Sequence, residues 1–357
     1  MKRFAAVLIV QLLTGAYSSV SLALNIEKVE SLPEPKIQYL GVGGWLLHWQ
    51  GEGVLISPSF SNPSLMGIKM APPVRVKANK TRIDRVMPEA NDVTMLLVGH
   101  GHYDHLLDVP WVMAKQAPNA TLYGSTTVKN ILHAFSAPQK MAAEGEPWVD
   151  NHRVVDATPF MERVSGCENM QMSARAGTWI YSKEEHLRAM PIQSMHASHI
   201  LGYTVAHSES PVLNDIPTTV FGWKQGQSMA WLIDLLDERK QPTYRIHFQD
   251  SPSTPPCGLP PVLNDGKSID VEILGVAGWE NVDNYPEQIL KSTKPKLVLL
   301  GHWENFFGND PKQPPEPMPR QNVEGMVRTV EQILSTNNIP ATVRMPAPFG
   351  DVPLPTN

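Results

Sequence analysis

The chain has 357 residues, of which 42% are hydrophobic and 18% charged, and a net charge of −5. That composition suits one large globular domain or two small ones and excludes wholesale disorder. The mild acidity lacks the basic footprint of a general nucleic-acid binder, so no nucleic-acid partner is expected.

Residues 1–23 read as a targeting signal. Lys2 and Arg3 are basic, residues 4–13 form an apolar run broken by Gln11, and Ser21-Leu22-Ala23 offers a small-x-small cleavage site. The run is shorter than the roughly 20 residues that a bilayer span needs. An uncleaved anchor or an ordinary first helix is the alternative. No cysteine lies near the cleavage site to carry a lipid, and no later stretch is apolar and long enough to span a membrane. The expectation is a secreted or periplasmic protein with no membrane span after cleavage. Residues 24–357 are read as a single domain.

The β signal starts early. Residues 37–40, 45–48 and 53–56 are short apolar runs separated by glycine turns, which reads as a meander. Residues 61–91, with four prolines, read as loop. The run 93–98 has the length of a buried strand. A helix is expected over 106–115, a strand over 120–123, and a helix from the N-cap Ser125 to about Phe135. Residues 137–188 are set aside as an insertion, with a strand at 179–181. Its Trp148 and Trp179 either cover the site or simply pack. Further strands are expected at 189–195, 228–233, 244–248, 271–274 and 296–300. Helices fit 286–292 and 323–335, the latter with apolar Val323, Met326, Val330 and Ile333. The late proline-rich stretches read as surface loops and a tail. Early strands, interleaved helices and returning strands give an α/β (α+β) class, with two mixed sheets between helix layers.

The chemistry concentrates directly after the strand at 93–98. His100, His102, Asp104 and His105 place four metal-binding side chains within six residues. Zinc takes imidazole nitrogen and carboxylate oxygen, and a catalytic site keeps one position open. In a turning loop His100 and His102 point the same way, while Asp104 and His105 lie beyond the turn and reach a second metal. The absence of sulfur favours zinc, iron or manganese over copper(I). The competing reading is a solvated polar loop.

Three further strand ends supply candidates. After 189–195 come His196 and His199, of which His196 is the favoured third ligand of the first metal; the other is left in an outer or substrate-facing role. After 244–248 comes Asp250, which could bridge two metals or be a simple turn aspartate. After 296–300 comes His302, which could complete the second metal or be an ordinary histidine. His48, His133, His152, His186 and His207 lack this context, and His247 is expected to face away. Cys167 and Cys257 lie outside any CxxC pattern; export allows a disulfide, and two free thiols fit equally.

With His100-x-His102-x-Asp104-His105 followed by His196, Asp250 and His302 in order, the chain resembles the metallo-β-lactamase superfamily over about residues 37–349. Residues 58–63 and 301–307 are similar to a branch containing N-acyl-phosphatidylethanolamine-hydrolysing phospholipase D and ascorbate-6-phosphate lactonase. The resemblance implies an αββα sandwich and a binuclear site. His100, His102 and His196 would hold metal 1; Asp104, His105 and His302 would hold metal 2, with Asp250 between them. Two divalent ions, with zinc expected, would activate a water, and Asp104 would orient it or take its proton. A phosphodiester-type, small-molecule or lipid-like substrate is the first expectation, a lactone or carboxylic ester the second and a β-lactam the third; a non-catalytic metal binder is the alternative of a different class. Ser57, Gly99 and Gln249 depart from the family's usual aspartate, serine or threonine, and glycine.

Overall fold

The structure is a computed structural model describing residues 32, 34–167, 174–199, 202–310 and 313–356. Residues 1–23, expected to be a targeting signal, lie outside the described residues. In chain order the regular elements are β1 (Lys36–Gly41), β2 (Gly44–Trp49), β3 (Glu52–Ile56), α1 (Lys80–Val86), β4 (Val93–Leu97), α2 (Tyr103–Leu106) and α3 (Val109–Lys115). There follow β5 (Thr121–Gly124), α4 (Thr126–Leu132), α5 (Pro138–Glu144), β6 (Val154–Asp156), β7 (Ile180–Tyr181), β8 (Leu187–Ser194), β9 (Ser228–Leu236) and β10 (Pro242–Gln249). The chain ends with β11 (Val271–Gly275), α6 (Glu287–Thr293), β12 (Leu297–Gly301), α7 (Val323–Thr336), β13 (Thr342–Arg344) and β14 (Asp351–Pro353).

These strands form two seven-stranded sheets, ordered β14-β1-β2-β3-β4-β5-β6 and β13-β12-β11-β10-β9-β8-β7. Both are mixed. In the first, β14 to β3 pair antiparallel and β3 to β6 parallel. In the second, β7 to β10 pair antiparallel and β10 to β13 parallel. The pairing makes β8, β10 and β12 run in one direction, so their carboxyl ends share one edge.

Alternation along β4 shows how the layers stack. Met95 and Leu97 enter the core between the sheets with Trp45, Trp231, Ile233 and Phe248. Leu96 and Val98 face the other way, onto Val112 and Met113 of α3 and Val128 and Ile131 of α4. Parallel strands covered on both faces are mostly apolar, and residues 93–98 are apolar except for Thr94, whose hydroxyl donates to Glu52 at 2.9 Å. α6 and α7 join the second sheet through Ile289, Leu290, Met326 and Val330. The architecture is therefore the αββα sandwich of two mixed sheets that the resemblance implies. Among the described residues, no helix is long and apolar enough to cross a membrane.

Several local expectations need correction. Residues 61–91 are not all loop: a 3-10 turn spans Leu65–Gly67, and α1 follows, its start capped by the Asn79 side chain accepting from Arg82 N–H. α1 buries only Ile83, so it shows no apolar periodicity in the sequence. The helix expected at 106–115 is two helices. Asp108 sits at the break, where its carboxylate accepts from Phe60 N–H and Ser61 N–H, each at 2.6 Å. That carboxylate holds the loop after β3 rather than continuing a helix face. Residues 137–188 contribute α5, β6 and β7, the last two being edge strands of the two sheets. The short outer strands β13 and β14 carry too little pattern to be seen in sequence.

Cys167 and Cys257 form a disulfide. Trp179 stacks under the Arg188 guanidinium at 4.2 Å on the outer face of the second sheet, and Trp148 is an exposed side chain bonded to Ser136 O. Both serve packing or surface rather than covering the histidines.

Candidate metal centre

The edge common to the two sheets gathers the polar residues. β4 delivers residues 99–102, and Met229 N–H at the start of β9 donates to Gly99 O at 2.8 Å, fastening one sheet's loop to the other sheet. β10 and β12 end immediately before Asp250 and His302, and β8 ends two residues before His196. α2 begins at Tyr103, with His102 in its N-cap position, and places Asp104 and His105 within a single helical turn. The change from extended loop to helix between His102 and Tyr103 brings Asp104 and His105 to His302, while the His105 ring stays 4.3 Å from that of His100.

Three overlapping groups result: His100, His102 and His196; His100, His105 and Asp250; and Asp104, His105 and His302. Within each, candidate ligand atoms lie within 4.8 Å of one another. In the first group the ring centroids are 4.5 to 4.8 Å apart. In the third, Asp104 Oδ2 lies 3.5 Å from both His105 Nε2 and His302 Nε2. Asp250 stands between the two, with Oδ2 2.8 Å from His100 Nδ1 and Oδ1 3.1 Å from His105 Nδ1. The His105 contact is an ion pair lying off the hydrogen-bond direction, because neither atom of it completes a hydrogen bond.

His199 belongs to none of these groups. It is exposed, its ring is 4.8 Å from that of His196 and 5.5 Å from that of His102, and its Nδ1 accepts from Val205 N–H. The other histidines have local partners or face solvent. His48 meets Asp92, His133 meets Leu213 O, His207 meets Gln225, and His152 is exposed. His247 is wholly buried against Glu272, on the face of the sheet opposite Ile246 and Phe248.

The donor set fits a divalent metal. His100 Nε2, His102 Nε2, His302 Nδ1 and Asp250 Oδ1 are buried and make no hydrogen bond. Buried polar atoms are ordinarily paired, and convergent imidazole and carboxylate atoms without sulfur suit zinc, iron or manganese. The electrostatics agree. Burial and the neighbouring imidazoles lower the proton affinity of His100, His102 and His196, leaving them neutral as ligation requires. Burial would raise Asp104 and Asp250, but His105 and the neighbouring histidines outweigh it and hold both carboxyls well below their ordinary range. Burial would lower His105, yet Asp250 and Asp104 together lift it to about 9.

Two glycines make room for this arrangement, and sequence reading did not single out their role. A Cβ on Gly99 would lie 2.3 Å from Asp250 Oδ2, and one on Gly43 would lie 2.6 Å from His105 Nδ1. The departure at position 99 thus has a steric cause in this chain. Ser57, the other departure before the strand-end proline, is buried with a backbone φ of 36° and an unbonded Oγ. Gln249 is buried beside Ser194 and Gly258.

The mouth of the site has an apolar border. His199 N–H donates to Tyr203 O, and Tyr203 is 79% exposed. On the other side the Phe306 ring lies 5.4 Å from His302, and Met70 N–H donates to Phe307 O. Met66, Ile68 and Met70 are exposed there, and Val220 N–H donates to Val74 O to join the two loops. Exposed Val74 and Phe221 flank that joint. Elsewhere among the described residues Trp148, Tyr181, Val212 and Val262 are comparably exposed large apolar side chains.

No family model and no curated protein matches the chain. Solved structures similar to it include Igni18, a metallo hydrolase from the archaeon Ignicoccus hospitalis KIN4/I, at 12% identity and TM-score 0.42, covering 89% of this chain and 97% of that one. Another is the metallo-β-lactamase fold protein YhfI from Bacillus subtilis, at 11% identity and TM-score 0.43, covering 89% and 98%. A third is isothiocyanate hydrolase from Delia radicum gut bacteria, at 11% identity and TM-score 0.45, covering 89% and 98%. Likeness at that level is silent on substrate.

Proposed function

We propose that the protein is a metal-dependent hydrolase. The observation that carries this reading is the convergence of five histidines and two aspartates from four strand ends, several with buried ligand atoms that bond to nothing else. His100, His102 and His196 would hold one divalent ion, and Asp104, His105 and His302 a second, with Asp250 between them. Zinc is the expected metal. Ions bound there supply Lewis acidity and lower the pKa of water. Asp104, kept ionised by His105 and His302, accepts a hydrogen bond from the attacking water and orients it on the substrate. His199 stands outside the ligand groups with its Nδ1 occupied by Val205 N–H, which leaves Nε2 to meet substrate.

The substrate class proposed is a phosphodiester with an apolar portion. The exposed Met66, Ile68, Met70 and Tyr203 beside the site favour an amphiphilic molecule over a small polar one, and the branch resemblance at 58–63 and 301–307 points to the phosphodiester. Residues 1–23 add the proposal of an exported protein. The test is hydrolysis of a chromogenic phosphodiester beside a lactone of equal chain length, each in short- and long-chain forms. Phosphodiester turnover that increases with chain length, stops with chelator and returns with zinc supports the reading. Lactone turnover alone moves the assignment to a carboxylic ester hydrolase. Metal uptake with no turnover of either moves it to a non-catalytic metal binder.

A further inference from the structure

We infer that Tyr39 and Glu304 form a buried positioning pair for the second metal subsite, an inference that rests on the two-metal reading above. Neither residue is a candidate ligand. Both are wholly buried, at 0% and 1% exposure. The Tyr39 hydroxyl accepts from His302 N–H at 2.8 Å and donates to Glu304 Oε2 at 2.5 Å. Glu304 Oε1 accepts from Val42 N–H at 2.6 Å. One carboxylate therefore holds two walls of the same subsite.

The first wall is His302 itself. Its backbone has φ 55°, in the left-handed region that a non-glycine residue occupies at a cost. The hydrogen bond from its N–H to Tyr39 fixes that backbone, and with it the direction in which the imidazole leaves the strand end. The second wall is the turn after β1. Val42 is followed by Gly43, which packs so closely on His105 and Asp250 that a Cβ would lie 2.6 Å from His105 Nδ1 and 2.7 Å from Asp250 Oδ1. Glu304 fixes Val42, so it also fixes the surface against which His105 and Asp250 rest. Ligands of the first group, His100, His102 and His196, bond to neither residue of the pair. Loss of the pair should therefore loosen the second metal far more than the first, which it reaches only through Asp250. Residues behind ligands commonly set metal affinity in this way.

The experiment is a competitive zinc titration of the metal-free full chain, with cobalt absorption as a second readout of ligand geometry. Tyr39→Phe keeps the ring, whose centroid is 4.6 Å from that of Trp45, and removes only the hydroxyl. Glu304→Gln keeps an acceptor for Val42 and weakens the link to Tyr39; it also carries the test if Tyr39→Phe does not fold. The expected result is about 10–100-fold weaker binding of the second ion, an altered cobalt spectrum for that ion, and a first step weakened far less. Equal weakening of both steps, or no change in either, overturns the positioning role and leaves a plain structural staple. A wild-type chain that takes up fewer than two ions fails the two-metal reading itself. Two ions in wild type with an unaltered second step in the variants fails only the pair.

Discussion

Replacing Gly99 with alanine places a methyl carbon 2.3 Å from Asp250 Oδ2 and 2.7 Å from Asp250 Cβ. Contact between such atoms is comfortable near 3.5 Å, so the aspartate must retreat by roughly 1 Å. The Cβ contact means that a rotation of the carboxylate alone does not relieve the clash. Gly99 is itself pinned, because its carbonyl accepts from Met229 N–H across the two sheets. Overpacking of this kind costs about 1–3 kcal/mol of stability. The larger effect falls on the metals, since a site of this type tolerates displacements of only about 0.5 Å. Metal content after dialysis against a weak chelator should fall in Gly99→Ala and fall further in Gly99→Ser, while urea denaturation shows a still-folded chain with a lowered midpoint. Full metal content in both variants would mean that Asp250 moves freely and does not hold the two subsites together, refuting the steric reasoning.

Three other outcomes follow from charge and covalent structure. His105 keeps its proton in the metal-free chain up to about pH 9. The stability this charge gives is complete below the ordinary imidazole value near 6.5, and is lost as pH rises through about 9. Zinc loading at pH 7.5 must expel that proton, so calorimetry in buffers of different ionisation heat should find about one proton released from this residue; no net release would contradict the charge assigned to it. Apparent zinc affinity should rise with pH until His105 is neutral and then level off. Replacing both Cys167 and Cys257 with serine opens a link between positions 90 residues apart and should cost about 2–5 kcal/mol in denaturant unfolding. An unshifted midpoint would show that the cross-link does not constrain the unfolded chain.

The main part of the site can be read from the sequence because its residues follow strands with strong local patterns. Val93 to Leu97 is apolar on both faces apart from Thr94, and His100 to His105 stands directly behind it. Ser194, Gln249 and Gly301 end strands just before His196, Asp250 and His302. What could not be read depends on distant partners. Asp108 breaks a helical pattern to bond residues 60 and 61, nearly fifty positions away. Tyr39 and Glu304 meet across 265 residues. Gly99 is glycine because of Asp250, which no local periodicity reveals. The choice between His196 and His199 is likewise spatial: both follow the same strand, and only the ring positions separate the ligand group from its neighbour. The short edge strands β6 and β7, of three and two residues, owe their conformation to the sheets they join.

The most direct measurement is the metal content per chain of the purified protein, taken beside Asp250→Ala and His302→Ala. Two divalent ions per chain are expected in wild type, with fewer in both variants and the greater selective loss of one ion in His302→Ala. One ion or none in wild type after reconstitution, or variants that retain both, would contradict the binuclear site.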